Sequence, residues 1–346
     1  MQNNLLILFG GSSEERLVSV ASAQNLIGQL AEADLWFISP RGDIHQVSRT
    51  ELQSHQNPFT VQFVPKDKSF AGSLAVAVEL MKNKIVIVAM HGTEGEDGTL
   101  QALLEKNKIA FTGSGSTSSK KCFDKKLTKT LAGSIGLPIA ADLLVKDPTN
   151  ASDILALREF QAKHGHMVLK PVANGSSVGL FIIKNSADLE SAIHSLKTST
   201  AGAYLAESFL EGREITVGVC QTTNGGNRVL PCSEVRVIKG RQFDYEGKYL
   251  GKGVEELTPA PLNSEETRQC QAVALKIHEL MGCEGYSRTD MILTSRGPVM
   301  LEINTLPGLS RASFIPQQVI ANGENLRDFF QHQAELAQAR NAGKKL

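Results

Sequence analysis

The chain carries no net charge, because lysine plus arginine equals aspartate plus glutamate at 36 each. A nucleic-acid or anionic-membrane binder needs a basic excess on one face, so neither partner is expected and small molecules take their place. The five cysteines (Cys122, Cys220, Cys232, Cys270 and Cys283) are scattered, odd in number and without a C-x-x-C pair. That pattern argues against structural zinc and against a disulfide framework. No apolar stretch approaches the roughly 20 residues of a membrane span. The run Leu5–Phe9 ends in Gly10-Gly11, which fits a buried strand better than a signal peptide. Those glycines begin no G-x-G-x-x-G, so the dinucleotide fingerprint of a dehydrogenase is missing. Internal repeats and low-complexity tracts are absent too. A cytoplasmic protein with reduced thiols is expected.

What is present is an ordinary globular composition, 41% hydrophobic and 21% charged, in 346 residues, long enough for two or three domains. The strand Leu5–Gly11 runs into a glycine pair, and Ser12-Ser13 offer a cap for the helix that follows. There Leu17, Val20, Ala21, Leu26, Ile27 and Leu30 recur at helical spacing. A second apolar run, Ile85–Met90, ends in His91-Gly92 and the acidic loop Thr93–Gly98, before a helix over Leu100–Lys106. Strand–loop–helix units predict a parallel α/β sheet whose ligands bind beyond the carboxyl ends of its strands. Glu15 and His91 lie at two such ends. Alone, each has a plain explanation, helix-dipole compensation for the acid and a structural hydrogen bond for the histidine.

Phe111–Gly115 (FTGSG) reads as a link into a second domain. Lysines follow at 120, 121, 125, 126 and 129, on a helix ending near Gly136, and runs of this kind usually mark a solvated face. The strand His166–Pro171 places Lys170 beside the loop Asn174–Ser177, where backbone N–H groups and hydroxyls suit a phosphate. Gly175–Gly179 also spells G-x-S-x-G, with Ser177 as the nucleophile of a hydrolase elbow. An elbow needs a strand entering a helix. The residues that follow, Val178–Lys184, read as a strand, so the segment is a flap and the hydrolase is rejected. Glu207 and Glu214 sit in the apolar strands Ala203–Leu210 and Arg213–Cys220, facing either solvent or a donor. The loop 239–261, with four glycines and several charges, reads as a lid. A helix over Ser264–Gly282 follows, with Ser264 as its N-cap.

That helix leads to Tyr286–Pro307, which reads as the strands Tyr286–Thr294 and Pro298–Thr305 joined by a three-residue turn, Ser295–Gly297. In that register Thr294 faces Pro298, Ile292 faces Met300, Asp290 faces Glu302 and Arg288 faces Asn304, all on one side of the sheet. Facing carboxylates repel unless a cation lies between them. Two carboxylates and an amide oxygen suit Mg²⁺, and a neighbouring arginine suits a phosphate or oxyanion. The other reading is a solvated face with incidental charges. After Pro307 the loop Gly308–Ser313, rich in N–H and hydroxyl groups, turns back to the same face.

Several motifs, in this order, resemble the D-alanine–D-alanine ligases of the ATP-grasp superfamily. They are GGSSEERLVSV (10–20), HGTEGEDGTLQALLE (91–105), FTGSG (111–115), DKKLTK (124–129), VLKPVANGSSVG (168–179), FDYEGKYL (243–250), GYSRTDMIL (285–293) and LEINTLPGLSRAS (301–313). The resemblance implies an α/β and α+β multidomain chain. A Rossmann-like parallel-sheet domain (1–114) precedes the two α+β domains of an ATP-grasp fold, a central one (115–206) and a C-terminal one (207–346) carrying the lid 239–261 and the metal hairpin 286–307. It implies ATP bound by Lys125, Lys170, Ser176, Glu207, Phe209, Leu210, Glu214 and Lys248. Two Mg²⁺ ions, with Mn²⁺ as a substitute, would sit on Asp290, Glu302 and Asn304. D-alanine would meet Glu15, His91, Arg288, Gly308 and Ser313. Glu15, Ser176 and Tyr249 would form a trio joining the first domain to flap and lid, and with Arg288 and Ser313 they are the catalytic set. The implied activity is ATP-dependent joining of two D-alanines through an acyl phosphate, for peptidoglycan precursors, by a cytoplasmic homodimer. Alternatives are another carboxylate–amine ligase, such as D-alanine–D-serine, or an inactive nucleotide sensor.

Overall fold

The computed structural model describes residues 4–173, 179–197, 202–222, 224–237 and 254–343. The first sheet has the order β3-β2-β1-β4-β5, with β1 Leu5–Gly10, β2 Asp34–Ile38, β3 Ile44–Gln46, β4 Ile85–Val88 and β5 Ala110–Phe111. β1, β2, β4 and β5 run parallel, as the strand–loop–helix pattern requires, and only the edge strand β3 is antiparallel. All six residues of β1 are buried because the sheet is covered on both faces, Leu5, Ile7 and Phe9 on one side and Leu6 and Leu8 on the other. Each such side chain contributes about 1.5–3 kcal/mol on leaving water.

Ser13 does not cap the first helix, Arg16–Gln29, in the expected way. Glu15 holds the N-cap position, and the Ser13 hydroxyl instead accepts the Glu15 N–H at 3.1 Å. The lysine-rich stretch is two helices, Ser116–Phe123 and Lys125–Ser134, divided at Asp124, whose carboxylate caps the second by accepting the Leu127 N–H.

A four-stranded antiparallel sheet follows in the order β6-β9-β7-β8, with β6 Asp142–Val145, β7 Met167–Pro171, β8 Phe181–Ile183 and β9 Tyr204–Ser208. β7 and β8 pair antiparallel, and the described residues after Ser177 enter the strand β8 where an elbow would need a helix. The division expected between residues 206 and 207 falls inside β9, which is paired on both edges.

The third sheet runs β13-β12-β10-β14-β15, with β11 also on β10. Its strands are β10 Arg213–Gln221, β11 Asn227–Val229, β12 Ser233–Val237, β13 Val254–Leu257, β14 Tyr286–Thr294 and β15 Gly297–Asn304. Part of the segment read as a lid is therefore the edge strand β13, while 239–253 lies outside the described residues. The helix Ser264–Met281 packs behind this sheet, and its N-cap is Asn263, one residue earlier than expected.

The hairpin β14–β15 departs from the simple register. Thr294 pairs with Gly297, Leu293 with Pro298, Ile292 with Val299 and Met291 with Met300, so the turn holds two residues rather than three. A bulge between Asp290 and Met291 then skips Leu301, and beyond it Asp290 pairs with Glu302 and Arg288 with Asn304. The bulge adds the residue that the shorter turn lacks. The expected pairs near the turn, Ile292 with Met300 and Thr294 with Pro298, are wrong by one, and the two charged pairs are right.

Candidate active site

One open cleft is lined by Glu15, His91, Glu96, Glu214, Glu256, Arg288, Asp290, Glu302, Asn304, Gly308 and Ser313, among others. A smaller cavity lies against it, lined by Glu96, Lys125, Glu302, Asn304 and Thr305 among others. Parallel strands deliver Glu15 and His91 from the ends of β1 and β4. The antiparallel hairpin delivers Arg288, Asp290, Glu302 and Asn304 on its half-buried face, and β10 brings Glu214.

At the hairpin, Arg288 donates through Nε to Asp290 Oδ1 at 2.8 Å and through Nη2 to Oδ2 at 2.7 Å. Thr216 donates to the same Oδ1 at 2.5 Å, and Asn304 Nδ2 lies 3.3 Å from Oδ2. Glu302 pairs with Lys125 Nζ at 3.3 Å. The charged face is thus a neutralised network and not a solvated surface. Its donor set, two facing carboxylates and one amide, fits a hard divalent cation, with Arg288 and Lys125 now supplying the positive charge. The lysine at 125 comes from the helix run read as solvated.

His91 is buried and fully bonded. Burial holds its pKa below the usual histidine value despite the opposing influence of Glu15, so the ring is neutral. Its Nδ1 lies 2.8 Å from the Leu306 carbonyl and must carry the proton, which leaves Nε2 to accept from the Ser22 hydroxyl at 2.9 Å. Ser22 in turn accepts the Leu309 N–H at 3.1 Å. Only the ring face and edge of His91 remain for a ligand. Gly92, at φ +73°, leaves room for Glu15, since a Cβ there would lie 2.7 Å from its Oε2 and 2.2 Å from Ser13 Oγ.

At the far wall, Ser313 is the N-cap of the helix Phe314–Ala321, but its hydroxyl does not cap it. It accepts the Ser310 N–H at 3.1 Å and meets the Ser310 hydroxyl at 2.8 Å. A Cβ on Gly308 would come within 2.6 Å of Ser313 Oγ, so this tight loop needs glycine.

On the four-stranded sheet, Glu207 is buried at 3% exposure, which overturns the solvent-facing reading. Lys170 Nζ lies 3.0 Å and Lys129 Nζ 3.2 Å from its Oε1. Despite its burial, which pushes the other way, the two lysines hold the Glu207 carboxyl below the usual range. Lys129 is wholly buried, so it too contradicts a solvated helix face. Phe209 is 41% exposed and, with Leu210, lies just beyond β9. Ser176, Lys248 and Tyr249 lie outside the described residues.

Sequence reasoning missed two acids. Glu96, from the loop Thr93–Gly98, stands in the wall shared by the two cavities and accepts the Gly92 N–H at 3.2 Å. Burial, then the nearby Glu15, push its carboxyl well above the usual range. Glu256, on β13, accepts from Gln317 Nε2 at 3.1 Å, and burial raises its pKa. The glycines around Glu96, which fold that loop tightly onto two strand ends, were the available signal. Glu256 gave none, lying in a stretch without visible period.

Two family profiles match the chain, one described as the D-ala D-ala ligase N-terminus over residues 4–114 and the other as the D-ala D-ala ligase C-terminus over residues 131–333. The chain belongs to the D-alanine–D-alanine ligase family. A D-alanine–D-alanine ligase of Leptospira biflexa is 32% identical, with 96% of this chain and 98% of the relative aligned. The solved ligase of Coxiella burnetii has the same fold, at TM-score 0.78 and 24% identity over 99% of this chain and 97% of that one. The VanG D-Ala:D-Ser ligase from Enterococcus faecalis also gives 0.78, at 25% identity over 97% and 100%. In this ligase family member the three sheets are those of an ATP-grasp enzyme with a parallel-sheet domain before it. Among the described residues, no helix is long and apolar enough to cross a membrane.

Proposed function

We propose that the protein is an ATP-dependent, ADP-forming ligase that joins two D-alanines into D-alanyl-D-alanine for peptidoglycan precursors. The observation that carries this reading is a single cleft lined both by Asp290, Glu302 and Asn304 and by Glu15, His91, Arg288, Gly308 and Ser313. The γ-phosphoryl group of ATP passes to the carboxylate of one D-alanine, giving an acyl phosphate and ADP. The amine of the second attacks the acyl carbon, and phosphate leaves from the tetrahedral adduct.

Asp290, Glu302 and Asn304 would hold Mg²⁺. When bound there, the ion supplies positive charge against phosphoryl oxygens. Lys125, beside Glu302, and Lys170 add positive charge on the side where ATP binds, with Glu207, Phe209, Leu210 and Glu214 as its further contacts. Arg288 and the backbone at Gly308 face the developing oxyanion. Ser313 stands at the N-terminus of the helix Phe314–Ala321, whose dipole favours the carboxylate of the second amino acid. Glu15 and His91 border the first. By their motifs Ser176 and Lys248 are further contacts for ATP and Tyr249 belongs to the trio with Glu15 and Ser176, while exclusion of water from the acyl phosphate is the part given to the lid. We place the second domain boundary after Ser208, which keeps β9 whole, and the working form as a cytoplasmic homodimer.

Purified protein given ATP, Mg²⁺ and D-alanine is expected to release ADP and phosphate and to form the dipeptide, read by mass spectrometry with D-serine and D-lactate in competition. Phosphate release independent of any D-amino acid sinks the reading. Glu302→Gln is expected to lower kcat by at least about a hundredfold. Near-normal turnover in that variant would rule out the assignment of Glu302 to the metal.

A further inference from the structure

Lys129 has no part in the mechanism above, yet it is the most deeply buried cation of the described residues, with a side chain fully excluded from solvent. It extends from the helix Lys125–Ser134 onto β9, one turn from Lys126, which pairs with Asp142. Asp142 and Glu207 are direct partners in the β6–β9 register, so two acids stand side by side under that helix. Three lysines answer them, Lys126 on Asp142 and both Lys129 and Lys170 on Glu207.

The sharing at Glu207 is unusual in detail. Both ammonium groups approach the same oxygen, Oε1, at 3.0 and 3.2 Å. Neither that oxygen nor Lys129 Nζ makes a hydrogen bond of good geometry among the described residues. Two like charges on one oxygen repel each other, and the pull of Glu207 on either is weakened by the presence of the other. The two differ in freedom: the Lys170 side chain is 10% exposed at the end of β7, whereas that of Lys129 is 0% exposed. If one of them leaves for an incoming anion, it is Lys170.

We propose that Lys129 is a positioning residue for nucleotide binding, resting on the ligase reading above. It holds Glu207 in place as the permanent counter-ion, so that Lys170 is released to the phosphates of ATP without leaving a buried carboxylate unpaired. Without Lys129 the cluster becomes a one-to-one Lys170–Glu207 pair. Lys170 is then captured, and every nucleotide that binds must break that pair.

The test is a double-mutant cycle on steady-state kinetics. Lys129→Met is expected to raise KM for ATP roughly tenfold or more, with kcat at saturating ATP and KM for D-alanine within about twofold. Lys129→Arg, which keeps the charge, restores KM to within about threefold. In a Glu207→Gln background, which has no carboxylate to capture Lys170, adding Lys129→Met shifts KM less than about threefold. Should Lys129→Met fail to show a folded thermal transition, Lys129→Gln carries the same expectations. An unchanged KM in the single variants, or an equal rise in both backgrounds, overturns the proposal, the latter because a merely structural lysine acts whatever stands at 207. Wild-type protein that binds no ATP overturns the ligase reading as well. Wild-type binding with an unresponsive position 129 overturns the role of Lys129 alone.

Discussion

His278 lies wholly buried on the helix Ser264–Met281, its Nδ1 2.7 Å from the Ser287 hydroxyl. Burial lowers its pKa from 6.5 to about 4. The unfolded chain therefore binds a proton on this ring between pH 6.5 and about 4 that the folded chain does not, and stability falls as pH falls through that window. At pH 5 the loss from this one group is about 2 kcal/mol relative to pH 7, from 1.36 kcal/mol per pKa unit. Urea unfolding at both pH values is the check. Wild type is expected to lose about 2 kcal/mol more between them than His278→Gln, and equal losses would place the acid sensitivity elsewhere. Side chains such as this one were not legible in the sequence, because burial is set by partners distant along the chain. Lys129 is the sharper case. Its spacing from Lys125 and Lys126 is that of an ordinary solvated helix face, and only the placement of Glu207 beneath the helix reverses that reading.

Local rules served well for elements and less well for their ends. The helix Ser264–Met281 begins with a full capping box: Asn263 Oδ1 accepts the N–H groups of Glu265 and Glu266, and Glu266 accepts that of Asn263 at 2.9 Å. Ser264, a residue type equally fit to cap, sits one position too late. Asn263→Ala is expected to cost about 1 kcal/mol by chemical denaturation with kcat unchanged. A fall in kcat without loss of stability would instead tie this helix start to the site. In the hairpin, alternation within each strand put Arg288 and Asp290 on one face of β14 and Glu302 and Asn304 on one face of β15, but only the cross-strand register decides whether those two faces are the same. The bulge at Leu301 left no mark in composition, and it corrected a turn misjudged by one residue before the charged pairs were reached. β13 stayed hidden because four residues with two adjacent glutamates, Val254–Leu257, show no alternation to read.

At the scale of the whole molecule, strand–loop–helix order was enough to predict the parallel sheet, but not how that sheet grips the loop after β15. The grip is a chain of bonds between residues some 200 to 290 positions apart: His91 to the Leu306 carbonyl, Ser22 to the Leu309 N–H, and Asn25 Nδ2 to the Leu309 carbonyl at 2.7 Å. Asn25 and Leu309 are both buried, and Asn25 touches the loop while standing outside the cleft lining. Removing its amide leaves a buried carbonyl without a partner, which costs about 1–3 kcal/mol. Part of that loss falls on the folded state as a whole and part on the geometry of Gly308–Ser313, where the second amino acid is proposed to dock. Asn25→Ala is therefore expected to lower the thermal midpoint and to raise KM for D-alanine roughly fivefold to tenfold, with KM for ATP unchanged, because the nucleotide contacts lie on other strands. A simple global softening would raise both constants together. That split separates a loop held in register from a fold held together, and an unchanged KM for D-alanine would show that this bond positions nothing the substrates use.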